Sequence, residues 1–174
     1  MMFPLVTDFH FEEPSDLPKD PYSQLKLLLE GFPKTVVQNG DQKGKTLSKA
    51  VRYYGRSVLG KNGAETGVFK NGAEDIIPLI KEDELLESEA MIYPFGIVGN
   101  LVSSDEFSAD LLSLDGKVGL CEKDSFMLIF ATLGEFTVSH FGGTFRIRPG
   151  NMVFVPADFR IEMIGTGKLI IAHT

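Results

Sequence analysis

Tryptophan is absent from the sequence, cysteine occurs once and histidine three times. The lone Cys121 excludes an internal disulfide and any cysteine-rich zinc site. His10, His140 and His173 are too widely spaced to read as a local metal motif. With 14 Phe against 4 Tyr, the aromatic content suits a core more than a recognition surface, because Phe is buried without needing a polar partner. Basic residues are also scarce. Seventeen Lys and Arg face 24 acidic residues, giving a net charge of −7. The densest basic cluster, Lys43, Lys45, Lys49 and Arg52, is short and offset by Asp41. A nucleic-acid partner calls for a concentrated basic face, so none is expected. No apolar run approaches the roughly 20 residues of a membrane span. Met1 to Val6 is broken by Pro4 and followed by acidic residues, which does not fit a signal peptide. The expectation is a cytoplasmic protein without a membrane or nucleic-acid partner.

What is present is ordinary for a folded domain: 43% hydrophobic and 24% charged residues. Residues 1–20 carry Pro4, Pro14 and Pro18 and no clear period, and read as an extended lead-in draped on the domain. Asp20 followed by Pro21 starts a helix with Leu25, Leu28 and Leu29 on one face and Gly31 as its stop. Thr35-Val36-Val37 is β-prone. Thr46 caps a second helix with Leu47, Ala50, Val51, Tyr54 and Val58 on one stripe, ending at Gly60, although Gly55 weakens it. The Gly- and Asn-rich residues 60–75 read as a loop, without the pattern of a phosphate cradle. Lys81 to Glu89 reads as a short exposed helix.

From Met91 the texture changes to short apolar runs separated by Gly, Asp, Asn and Pro. The predicted strands are 107–114, 117–121, 126–132, 135–140, 144–148, 152–155, 159–164 and 168–172. Short strands at such regular spacing indicate a sandwich or barrel. Phe141-Gly142-Gly143, Pro149-Gly150-Asn151 and Gly165-Thr166-Gly167 supply turns. Alternation places Phe136, Val138 and His140 on one face of their strand and Glu135, Thr137 and Ser139 on the other.

The stretch Leu133-Gly134-Glu135-Phe136-Thr137-Val138, followed by Gly142-Gly143 and by Pro149-Gly150-Asn151 through Pro156-Ala157, resembles the second half of a cupin. Asp105-Glu106-Phe107 to Leu114, Asp124 to Ile129, Gly134, Arg148 to Ala157 and Gly167 to Ile171 are similar to the C-terminal cupin of type I mannose-6-phosphate isomerases. Gly31-Phe32-Pro33-Lys34, Gly44-Lys45-Thr46-Leu47 and Leu59-Gly60 resemble the segment before the first zinc-ligand motif of those enzymes. The resemblance implies a mainly β protein, a cupin-type double-stranded jelly roll over 91–174, with 1–90 as an N-terminal extension whose two short helices pack on the barrel.

The departures bear on function. The family's Gln-x-His zinc motif does not occur, and no His lies between His10 and His140. Its Arg-bearing sugar-phosphate motif is also missing. By the general cupin spacing, the metal carboxylate falls on Met127, the paired histidines near Leu120 to Lys123 and the third on Ile161. None of these supplies a cupin's ligand set, so no metal and no cofactor are expected. The catalytic candidates that remain are Glu135, Glu162 and His140, with Asp158 also able to reach a barrel mouth. Alternation favours both glutamates facing solvent. Arg146, Arg148 and Arg160 are ligand-binding candidates for a phosphate or carboxylate, the first two sharing a face that reads as outer. Cys121 reads as a buried bystander.

Three functions follow. One is a zinc-less, mannose-6-phosphate isomerase-like cupin serving as a carbohydrate (sugar-phosphate) binding or accessory module. The second is an active metal-independent aldose–ketose isomerase. The third is a filled-barrel oligomerisation or interaction domain. An interior packed with Phe, Leu and Ile favours the third, and an interior pocket lined by Glu or Arg the first two. A homodimer through exposed sheet edges is a further expectation.

Overall fold

The computed structural model describes residues 3–11, 13–66, 91–103 and 107–174. Helix α1 (Pro21–Gly31) begins where the sequence predicts. The Asp20 carboxylate accepts a hydrogen bond from the Ser23 amide at 2.9 Å, and hydrogen bonding from the Ser23 side chain and then its amide holds it below the usual carboxylate range. Tyr22, Leu25, Leu28 and Leu29 are buried on its inner face. Helix α2 (Leu47–Tyr54) is capped by Thr46, whose hydroxyl accepts from the Lys49 amide. It stops five residues before the predicted end, because Gly55 adopts φ 94° and the chain continues as a 3-10 turn, Arg56–Leu59.

A third helix, α3 (Gly60–Thr66), replaces the first part of the predicted loop. Its glycines serve close approach: a Cβ at Gly63 would lie 2.7 Å from the Phe126 ring, and the Asn62 amide donates to the Asp124 carbonyl at 2.8 Å. The remainder of the predicted loop, and the predicted helix at 81–89, lie outside the described residues. Among the described residues, no helix is long and apolar enough to cross a membrane.

The strands are β1 (Leu5–Asp8), β2 (Val36–Val37), β3 (Met91–Tyr93), β4 (Gly96–Ser103), β5 (Ser108–Leu120), β6 (Met127–His140), β7 (Gly143–Ile147), β8 (Asn151–Val155) and β9 (Ile161–His173). They form one antiparallel sheet in the order β2-β1-β8-β6-β9-β5-β4-β3, with β7 on β6. The lead-in is thus part of the sheet. β1 pairs with β8, and Asn39 fastens it by accepting from the Val6 amide and donating to the Pro4 carbonyl.

Beyond residue 107 the eight predicted strands are five, because three adjacent pairs run together as β5, β6 and β9. The predicted turn at Gly165-Thr166-Gly167 is continuous strand. Gly134 pairs with Gly167 and Gly116 with Gly165, all at positive φ, and the long strands bend here without breaking. A Cβ at Gly167 would sit 1.9 Å from the Leu133 carbonyl oxygen, and one at Gly134 would sit 2.2 Å from that of Thr166. These glycines make a corner instead of a turn.

Bent at this corner, the sheet forms two walls around an apolar interior, the jelly-roll-like arrangement predicted. Met127, Ile129, Phe136, Val138, Ile161 and Met163 are among the buried residues between the walls. A second core lies outside the first wall, where Leu128, Phe130, Met152 and Phe154 meet Leu25, Leu28 and Leu29 of α1. The helices therefore cover one wall. On the other, outward residues such as Lys117, Glu135 and Arg146 are exposed.

Candidate functional site

The residues that a metal-bearing cupin would use are apolar or lie elsewhere. Met127 and Ile161 are 2% and 1% exposed inside the roll, packed among other aliphatic side chains. Leu120 is half-buried at its mouth. Among the described residues, no three His, Cys, Asp or Glu side chains are placed to hold one metal ion. The residues present do not fit a zinc ion inside the roll: thioether and hydrocarbon stand where imidazole and carboxylate would be needed.

Above this packed interior is a shallow mouth of about 230 Å³ whose lining includes Val98, Asp110, Leu120, Glu122, Met127 and His173. Asp110 and Leu112 share the inward face of β5, and His173 lies directly across from Met127. Asp110 accepts from the Asn100 amide nitrogen at 2.9 Å. Asp110 and His173 escape the sequence reading because only folding the sheet over brings them together, although Asp110 has the parity of inward-facing Leu112 and Leu114.

Cys121, read from sequence as buried, is exposed just past the end of β5. Partial loss of hydration and the nearby Asp158 and Glu122 carboxylates push its thiol pKa up, away from nucleophilic character.

A second depression, of about 470 Å³, lies at the far ends of β6 and β9. It is lined by Ser139, His140, Phe141, Asp158, Arg160 and Glu162, together with Phe159 and Ile161. Four of the candidate residues, His140, Asp158, Arg160 and Glu162, meet here. Glu135, Arg146 and Arg148 are exposed elsewhere and do not join them.

His140 ends β6 against Phe3, Phe145 and Phe159, with ring centroids 5.4–5.9 Å away. Burial there pushes its imidazole pKa down and favours the neutral ring. Its Nδ1 accepts from the Gly142 amide at 3.1 Å, so the ring proton sits on Nε2. Asp158 holds a left-handed φ of 58°, with its amide donating to the Glu122 carbonyl at 2.7 Å. Glu162 projects from the outer face of β9 and pairs with Lys117 at 3.3 Å.

Residues 98–174 match the family model described as mannose-6-phosphate isomerase, cupin domain. No curated protein matches the chain. Among solved structures, it is similar to the mannose 6-phosphate isomerase of Bacillus subtilis at 19% identity, covering 49% of this chain and 27% of that one, with a TM-score of 0.45. The apo mannose 6-phosphate isomerase of Salmonella typhimurium is matched at 19% identity over 49% of this chain and 22% of the enzyme, with a TM-score of 0.42. The matched part is thus under a third of either enzyme. Over residues 98–174 the chain resembles the cupin domain of mannose-6-phosphate isomerases, in keeping with its jelly-roll-like fold.

Proposed function

We propose that this protein is an accessory, carbohydrate-binding relative of mannose-6-phosphate isomerases that does not itself isomerise sugars. The observation that carries the non-isomerising part of the reading is an interior filled with apolar side chains, Met127 and Ile161 among them, at the positions where cupin chemistry would need metal donors. What supports the carbohydrate-binding part is the polar depression outside it, lined by His140, Asp158, Arg160 and Glu162. A reactive cupin needs polar groups converging on a cavity that admits substrate. Here the space between the walls is core. The reading includes a cytoplasmic setting, a sugar or sugar-phosphate ligand taken outside the interior, and pairing of two copies along an exposed sheet edge.

A metal-independent isomerase would need Glu135 or Glu162 as base beside the substrate carbon. Both project from the outer wall, and Glu162 is engaged by Lys117, so neither shares an enclosed site with a carbonyl-polarising group. The filled interior does favour a second reading, an interaction or oligomerisation domain in which the sheet surface is the working part.

The test is a coupled isomerase assay on the full chain with mannose 6-phosphate and added zinc, alongside elemental analysis. No turnover and no stoichiometric metal are expected. Turnover on the order of 1–10³ s⁻¹, the usual enzymatic range, would overturn the reading.

A further inference from the structure

We infer that the groove formed by Ser139, His140, Phe141, Asp158, Arg160 and Glu162 is a binding site for a phosphorylated polyhydroxy ring, seated with its phosphate on Arg160. This rests on the accessory-module reading and gives it a place and a chemistry.

The anion seat comes first. Arg160 is exposed, and among the described residues its guanidinium has no hydrogen bond or ion pair. It lies across strand β5 at Gly119: a Cβ there would be 2.9 Å from Arg160 Nη2. Gly119 lies outside the corner and pairs with Glu162, one pair from the end of the β5–β9 ladder. Glycine weakens a strand interior unless something must approach closely. Here the guanidinium does, leaving its donor edge open to a bidentate anion.

Charge separates this groove from the barrel mouth. Among the described residues the mouth is lined by Asp110, Glu122 and His173 and by no Lys or Arg, so a phosphate entering it meets two carboxylates and no side chain of fixed positive charge. In the groove, Lys117 engages Glu162, which leaves Arg160 to answer a phosphate.

The rest of the wall suits a ring bearing hydroxyls. Phe141 is 72% exposed, although Phe159 and Phe3 pack beside it with centroids at 5.4 and 5.5 Å. An aromatic face held this way offers a platform for the apolar C–H face of a pyranose. Around it are acceptors for hydroxyl donors, the Asp158 and Glu162 carboxylates, and one fixed donor, His140 Nε2–H. Asp158 keeps its side chain there from a left-handed backbone that glycine would adopt more readily.

The experiment is calorimetric titration of the full chain with mannose 6-phosphate, inorganic phosphate and mannose. Binding of mannose 6-phosphate is expected with a Kd on the order of 1 mM, at least about tenfold tighter than either fragment. Arg160→Met should weaken it at least about tenfold, and so should Gly119→Val, which keeps the charge but fills its seat with a residue that strands favour. Arg146→Met, on the same wall outside the groove, should bind as the parent does. Thermal melts confirm that each variant is folded. If the parent binds and both groove variants bind equally well, the site is wrong while the accessory reading stands. If inorganic phosphate or mannose alone binds as tightly as mannose 6-phosphate, the ligand class is wrong. No heat with mannose 6-phosphate at millimolar concentrations overturns the site and the carbohydrate-binding reading together.

Discussion

Strand β6 passes through two environments. From Met127 to Thr132 every residue is buried, because one face looks into the roll and the other is covered by α1 and its neighbours. From Leu133 to His140 only Phe136 and Val138 are buried, and the residues between them look outward. The first wall is a layer between two cores, and the second is a core on one side with solvent on the other. The covered wall is core on both sides, and the open wall is where our proposal places recognition. The arginine groove lies at the rim of the open wall.

The largest expected effect tests the covered wall. Phe154 is fully buried there and stacks on Phe126 at 5.5 Å. Phe154→Ala should cost about 3–5 kcal/mol in urea denaturation, through lost transfer energy and the cavity left behind. On the open wall, Thr137→Ala should stay within about 0.5 kcal/mol. Comparable losses at the two positions would mean that the outer face of the second wall is covered too.

The next effect belongs to the corner that divides the walls. Gly167→Ala puts a methyl 1.9 Å from the Leu133 carbonyl oxygen at φ 158°, and should cost about 2–4 kcal/mol. Gly116 has φ 126° but nothing within 4 Å of its Cβ position, so Gly116→Ala should cost only the backbone strain, about 1–2 kcal/mol. Equal costs in denaturant melts would show that strain alone, without close packing of strands, sets the bend.

The two walls were unequally legible. The unbroken run Met127-Leu128-Ile129-Phe130-Ala131 has the composition of a doubly buried strand, and Glu135 to His140 has the alternation of a half-exposed one. The corner was not legible. Gly165-Thr166-Gly167 reads as a turn just as Pro149-Gly150-Asn151 does, yet the first is strand and the second a turn. What separates them is the Leu133 carbonyl, thirty-odd residues away in sequence and pressed against Gly167 in space. The groove fails to show for the same reason. His140 was recognisable by parity, but the seat of Arg160 depends on Gly119 lying opposite Glu162, a register between distant strands. Cys121 was misplaced because its exposure depends on β5 ending one residue earlier.

The smallest effect has the opposite sign. Thr7 of β1 is fully buried in the covered wall, and its hydroxyl is the one buried side-chain polar atom without a partner among the described residues. Leaving a hydroxyl unpaired away from water costs about 1 kcal/mol or more, whereas a methyl in its place costs nothing. Thr7→Val keeps the β-branched shape and strand preference, so it should stabilise the protein by about 1 kcal/mol. The same exchange at Thr137, half-buried on the open wall where water can serve its hydroxyl, should move stability by less than about 0.5 kcal/mol. A gain at position 7 with none at 137 requires the space outside the first wall to be dry. A loss at position 7 would mean that water reaches between β1 and the helices, and the contrast between the walls would then be one of degree.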